Sequence, residues 1–190
     1  MDRRALNRYS QHNQELLGSN RRKIFGIILN FLLIVGVSLL PACKIPRDPN
    51  NTLNHVSNST LKVGFCVNPP WVVDTHPPSG IEAEIIQVFA KQIHADIQWV
   101  AGAEENLFDG VQKNTVNIII CGIKDDSPWK ASVSFTRPYL QKETSHSSEK
   151  FSPRVFAIMK GENAFLVALD KFIVKNQTLI QQIAAKNAHN

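Results

Sequence analysis

Residues 61–73 read LKVGFCVNPPWVV. Leu61 to Val67 is a short, mostly apolar run that ends on Asn68-Pro69-Pro70, the pattern of a buried strand running out into a loop. Downstream the period changes. Ile81, Ile85, Ile86, Phe89 and Ile93 share one face between Gly80 and Ala95, which predicts an amphipathic helix. Ile97 to Val100 reads as a second strand, Asn106 to Gln112 as a short helix, and Val116 to Ile120 (VNIII) as a third strand buried on both faces. Asp126-Ser127-Pro128 has the chemistry of a helix start, and Ser132 to Tyr139 is extended up to Pro138. Gln141 to Ser152 (QKETSHSSEKFS) is polar and patternless and reads as a linker. Arg154 to Lys160 (RVFAIMK) is a further strand. After Gly161-Glu162-Asn163 comes a helix with Phe165, Leu166, Leu169, Phe172 and Ile173 on one face, then a last short helix carrying Leu179, Ile180, Ile183 and Ala184. This alternation predicts an α/β fold built on a mostly parallel sheet with helices on both faces.

Upstream the chain has a different character. Residues 24–42 (IFGIILNFLLIVGVSLLPA) carry no charge and come directly after Arg21-Arg22-Lys23, so residues 1–42 read as a signal peptide or membrane anchor. Asn20-Arg21-Arg22-Lys23-Ile24-Phe25 is also similar to a twin-arginine export motif, although any basic segment of this kind suits the general secretory route equally well. Residues 43–60, rich in Asn, Ser and Pro, read as a flexible tether, and residues 61–190 as the folded body. The formal charge is +5, but Arg3, Arg4, Arg8, Arg21, Arg22 and Lys23 all precede residue 24, against Asp2 and Glu15. Residues 24–190 hold 15 basic and 14 acidic side chains, so nothing in the body suits a phosphate backbone, and nucleic-acid binding is not expected. His12, His55, His76, His94, His146 and His189 are scattered, with no paired His or Cys spacing for a metal and no glycine-rich phosphate loop; no cofactor or metal is expected. Asp125 and Asp126 are read as helix-capping residues and not as a catalytic pair, since no base, nucleophile or metal partner supports them.

Five consecutive segments carry a resemblance. LKVGFCVNPPWVV, GIEAEIIQVFAKQI, FDGVQKNTVNIIICGI, DDSPWKASVSFTRPYL and VFAIMKGENAFLVALDKFIVKNQTLIQQIAAKN together resemble family 3 of the bacterial extracellular solute-binding proteins, the periplasmic receptors of amino-acid ABC importers. Glu82 and Glu84 stand at the two acidic places of the family's helix start. The resemblance implies a type II periplasmic-binding-protein fold, in which two α/β lobes close on a ligand. Here only residues 140–153 separate Tyr139 from Arg154, so a single lobe is expected, with the second deleted near 141–153. Leu40-Pro41-Ala42-Cys43 likewise resembles the lipobox of bacterial lipoproteins and implies lipidation of Cys43.

The resemblance also places the ligand positions. In the family an Arg grips the ligand carboxylate, a task its planar fork suits. Counting Gly122 as the first residue, that Arg place is the eighth, Trp129, and a helping Thr or Ser place is the third, Lys124; Ile123 lies between. Lys130 matches a solvent-facing Lys of the family. The aromatic place before the two prolines is Asn68, the aromatic after them is Trp71, and the platform after the second strand is Glu104. Trp71 reads more readily as a packing residue than as a ligand contact. Cys66 and Cys121 end two neighbouring strands, and a disulfide or two buried thiols both fit.

The expected function is that of an exported, membrane-tethered relative of the substrate-binding component of amino-acid ABC transport, held in the cell envelope on the periplasmic side. Its partners would be a small polar solute such as an amino acid, the membrane, and an ABC permease, with ligand binding weak or altered. The alternative is a non-binding remnant or protein-interaction domain on the same lobe, marked by an exposed apolar patch around Trp71, Ile123 and Trp129. Some dehydratases resemble the family but use both lobes, so a dehydratase-like enzyme ranks last and the chain is read as no enzyme.

Overall fold

The computed structural model describes residues 48–140 and 153–187. The expected signal or anchor, the expected lipidation site Cys43 and the linker 141–152 lie outside the described residues. Among the described residues, no helix is long and apolar enough to cross a membrane.

Five strands, β1 (Thr60–Phe65), β2 (Asp96–Ala101), β3 (Ile118–Lys124), β4 (Ser134–Phe135) and β5 (Arg154–Ile158), form one sheet in the order β2-β1-β3-β5-β4. The helices are α1 (Thr52–Val56), α2 (Ile81–Gln92), α3 (Glu104–Gln112), α4 (Asn163–Lys175) and α5 (Gln177–Asn187). β1 runs parallel to β2 and β3, as the alternating pattern predicts. β5 runs antiparallel to both β3 and β4, so the sheet is mixed. The reason is local. Parallel neighbours need a long crossover, whereas residues 134–140 run back alongside β5, with the Thr136 N–H donating to the Phe156 carbonyl and the Tyr139 N–H to that of Arg154. Leu140 is bridged to Arg154, so the chain leaves for the linker and returns from it at one point.

The period of two sorts side chains between the two sheet faces. Leu61, Val63 and Phe65 of β1, Ile118 and Ile120 of β3, and Phe156 and Ile158 of β5 meet Phe89 of α2 and Phe165, Leu169 and Phe172 of α4 in one core cluster. Phe89 lies 5.3 Å from Phe172 and 6.0 Å from Phe165, ring centre to ring centre. Ile119, Cys121 and Ile123 of β3 and Val155 and Ala157 of β5 point the other way, onto Leu107, Phe108 and Val111 of α3. β3 is therefore buried on both faces, as its run of isoleucines predicts. Gly64 fits where α3 comes closest: a Cβ there would lie 2.9 Å from Val116 and 3.0 Å from Leu107.

Two local expectations are corrected. Asp126-Ser127-Pro128 opens only a 3₁₀ turn, Pro128–Ala131, without a side-chain cap from Ser127. Residues 48–60, expected to be part of a flexible tether, fold onto the body. Their anchor is Glu162, whose buried carboxylate accepts the N–H groups of Asn50 (2.7 Å) and Thr52 (2.8 Å) at the start of α1. The first N–H groups of a helix lack intrahelical partners, and here a side chain more than a hundred positions away supplies them. Asp48 accepts the Ala164 N–H at the start of α4 in return, and Val56 is buried in the core. Glu162→Ala is expected to cost about 2–4 kcal/mol, since it leaves one buried and one part-buried donor unpaired. A lower urea midpoint at unchanged m-value, with faster exchange of the Thr52 amide, is the result to look for.

Candidate functional site

The carboxyl ends of β1 and β3 finish at one edge of the sheet, the edge at which ligands of open α/β sheets bind. The turn after β1 is held by its own backbone: the Asn68 N–H donates to Val72, and the Trp71 N–H to Asn68. Opposite it, the pairing of β3 with β5 shifts register between Ile119 and Ile123, and Gly122 sits in the shift with φ +64°. A Cβ on Gly122 would stand 2.6 Å from Trp71 Cδ1 and 2.7 Å from Asn68 Nδ2, so only glycine lets the two loops meet.

Three long side chains converge on this glycine. Glu82, in the first turn of α2, is wholly buried; its Oε2 accepts the Gly122 N–H at 2.8 Å and its Oε1 the Tyr139 hydroxyl at 2.6 Å. Arg154 Nη1 donates to the Gly122 carbonyl, and its Cζ lies 4.8 Å from the centre of the Trp71 ring. Tyr139, also fully buried, stacks on Phe156 at 4.7 Å and meets Trp71 edge-on at 6.2 Å. Burial pushes the Glu82 carboxyl up to about 7, against the Tyr139 and Gly122 bonds and the Arg154 charge, which pull it down. Burial, then the Glu82 charge, holds the Tyr139 phenol well above its ordinary range, so it remains the donor.

The residues expected to bind ligand fall into three groups. Asn68, Trp71 and Gly122 come together at this edge, where Asn68 Nδ2 donates to the Cys121 carbonyl at 2.8 Å and Trp71 is 4% exposed. Ile123 turns into the core beside α3, and Trp129 stacks flat on Phe108 at 4.4 Å, so neither side chain stands free at the edge. The exposed apolar patch expected of an interaction domain around Trp71, Ile123 and Trp129 is therefore not formed. Lys124 is exposed beside Arg154 in the β3–β5 register, and Glu104 is exposed in the first turn of α3. Cys66 and Cys121 meet as a disulfide between the ends of β1 and β3, with Cα atoms 5.0 Å apart. Sequence reasoning passed over Tyr139 and Arg154 as site residues. The only signal for Arg154 was one charge at the head of an otherwise apolar strand.

A shallow groove of about 370 Å³ on α4, lined by Arg137, Val167, Asp170, Lys171, Val174 and Lys175, shares none of these residues. Among the described residues, no three of His, Cys, Asp and Glu gather as a metal site.

Two measurements test the arrangement. Because Glu82 holds its proton to higher pH when folded than its ordinary value of 4.5 allows, the native state binds more protons between about 4.5 and about 7. Stability should therefore fall as pH rises through that window and level off above it. Glu82→Gln should flatten the slope, with the Tyr139 hydroxyl turning to accept from the amide; an unchanged slope in urea titrations at several pH values refutes this role. Gly122→Ala should cost about 2–4 kcal/mol, from left-handed backbone and overlap with Trp71 together.

Comparison with known proteins agrees with this architecture. The arginine-bound form of domain 1 from TmArgBP superposes with a TM-score of 0.54 at 18% identity, over 61% of this chain and 92% of that one. An ancestral amino acid-binding protein, described as a precursor of cyclohexadienyl dehydratase, reaches 0.61 at 14% identity over 71% and 98%. A protein described as the binding component of an ABC transporter from Wolinella succinogenes DSM 1740, complexed with lysine, reaches 0.58 at 14% identity over 67% and 94%. At these identities the likeness speaks for the fold. No curated protein matches in sequence. The family model described as bacterial extracellular solute-binding proteins, family 3, matches residues 61–187, nearly the whole folded body, and on that match the chain belongs to this family.

Proposed function

We propose that the protein is an exported, membrane-tethered solute-binding lobe, related to the receptor component of amino-acid ABC import, that takes an amino-acid-like solute weakly. The observation that carries the reading is the edge around Gly122, where Asn68, Trp71 and Arg154 meet at the carboxyl ends of the strands. Leu140 and Arg154 are bridged at the same edge, which supports a body built as one lobe. That domain 1 of TmArgBP is described in an arginine-bound form supports binding by a lobe of this kind without a partner jaw. The uncharged run 24–42 behind Arg21-Arg22-Lys23, ending at Leu40-Pro41-Ala42-Cys43, supports export and a lipid anchor on Cys43. A permease in the same membrane is the partner this location suggests.

Binding rather than catalysis is favoured by the placement of the acid groups. Glu82 and Tyr139, whose acidities are displaced, are both fully buried and spend their hydrogen bonds on each other and on Gly122, so neither reaches a substrate.

Weak affinity is a matter of arithmetic. A micromolar complex needs about 8 kcal/mol, and one charge-assisted hydrogen bond contributes roughly 1.5–3 kcal/mol. The usual Arg place holds Trp129, stacked on Phe108, and a single lobe leaves one side of the ligand in water. Titration calorimetry of the full chain in detergent against the standard amino acids is expected to give dissociation constants well above micromolar. Micromolar or tighter binding by the monomer overturns the claim of weakness. Membrane-fraction mass spectrometry should find a mature terminus at lipid-bearing Cys43, and an intact Met1 terminus sinks the lipid anchor.

A further inference from the structure

Arg154 is a cation with one nitrogen, Nη2, neither buried nor hydrogen-bonded. A guanidinium presents five N–H groups in one plane, a fork that fits the two oxygens of a carboxylate. Nη1 donates to the Gly122 carbonyl, and Nε is buried without a hydrogen-bond partner. Glu82 does not complete the set, since its two oxygens are taken by Gly122 and Tyr139. Among the described residues, no carboxylate stands within ion-pair distance of Arg154. The side chain is nevertheless held, with Cζ over the Trp71 ring and one nitrogen on β3, and it keeps partial exposure.

Its neighbour across the ladder points the same way. Arg154 pairs in register with Lys124, the last residue of β3, and directly opposed residues of an antiparallel pair project to one face of the sheet. Like charges in that arrangement repel unless an anion lies between or beside them. Asp125 and Asp126 come next after Lys124 in the turn but form no ion pair with either cation among the described residues. The exposed lysine, the partly exposed guanidinium and the Trp71 ring thus stand together at the carboxyl ends of the strands.

We propose that Arg154 is the residue of this edge that binds the solute's carboxylate, presenting from β5 through its free Nη2 the positive charge that the Trp129 position lacks, with Lys124 as a second positive charge. This rests on the solute-binding reading above.

The test uses the full chain in detergent, titrated by calorimetry with the twenty standard amino acids and, for each that binds, with its carboxamide. The amide keeps the side chain and the ammonium and loses only the anion. For the wild type, the amide should bind roughly ten- to a hundredfold more weakly than the acid, the size of a charge-assisted hydrogen bond. Arg154→Gln should lose a similar factor for the acid and none for the amide, and Arg154→Lys should recover part of it. Equal binding of acid and amide by the wild type overturns the assignment and leaves the solute-binding reading standing. So does an Arg154→Gln variant that folds, by its urea midpoint, and prefers the acid as strongly as the wild type does. Binding of none of the amino acids at millimolar concentration overturns both. The acid-against-amide comparison on the wild type needs no variant, so a substitution that fails to fold does not remove the test.

Discussion

The Glu82 carboxyl is the constraint on which the edge of this lobe depends. It joins the first turn of α2 to the Gly122 N–H in the irregular end of β3 and to the Tyr139 hydroxyl in the segment that turns back along β5. Three stretches distant in sequence are thereby tied at one buried point. Burying a carboxyl is costly, and the displacement of its acidity toward about 7 shows that desolvation outweighs the two donors and the nearby guanidinium. The cost is tolerable because both oxygens are satisfied. Removing either donor would leave a buried acceptor with no water to replace it.

Gly122 turns that tie into a surface. Its left-handed backbone lifts β3 out of register with β5 and lets Trp71 and Asn68 lie where a Cβ would be, while its carbonyl faces Arg154. The disulfide between Cys66 and Cys121 fastens the same two strand ends one residue away. Loop, strand end and returning strand are thus held together by covalent, hydrogen-bonded and packing contacts. The linker begins and ends at the same edge, at Leu140 and Arg154. A chain that leaves and re-enters a lobe between two bridged residues closes the lobe's own hydrogen bonding, whatever the length of the segment between them.

Much of this body was legible in the sequence. The period-3.6 face of Ile81, Ile85, Ile86 and Phe89 and the isoleucine run of β3 are long-range packing written into local pattern. Two features were not legible, for physical reasons. Residues 48–60 have a tether's composition, but their fold depends on Glu162, a partner more than a hundred positions away, and periodicity carries no record of such a contact. The direction of β5 is likewise a property of the chain's return path, since RVFAI reads alike in a parallel or an antiparallel neighbour. The resemblance pointed to Asn68, Trp71 and Gly122, which the structure brings together, because each has a counterpart in a family motif, and it did not point to Arg154, which has none.

On the binding role proposed above, a single lobe cannot enclose its ligand, so affinity would have to come from elsewhere. Association costs translational freedom in any case, and a flexible binding side chain adds the ordering of its own rotamers. An Arg in solvent would lose about 2 kcal/mol of such freedom on gripping a ligand. Arg154 has surrendered much of it already, with its base in the sheet, Nη1 on the Gly122 carbonyl and its Cζ over the Trp71 ring. The buried tie among Glu82, Gly122 and Tyr139 fixes the carbonyl that fixes the guanidinium, so its effect on the proposed binding would be through rigidity. For the proposed carboxylate contact, preorganisation of this kind would be the main means left to a single lobe, and it would lie in Glu82 and Tyr139, which are fully buried.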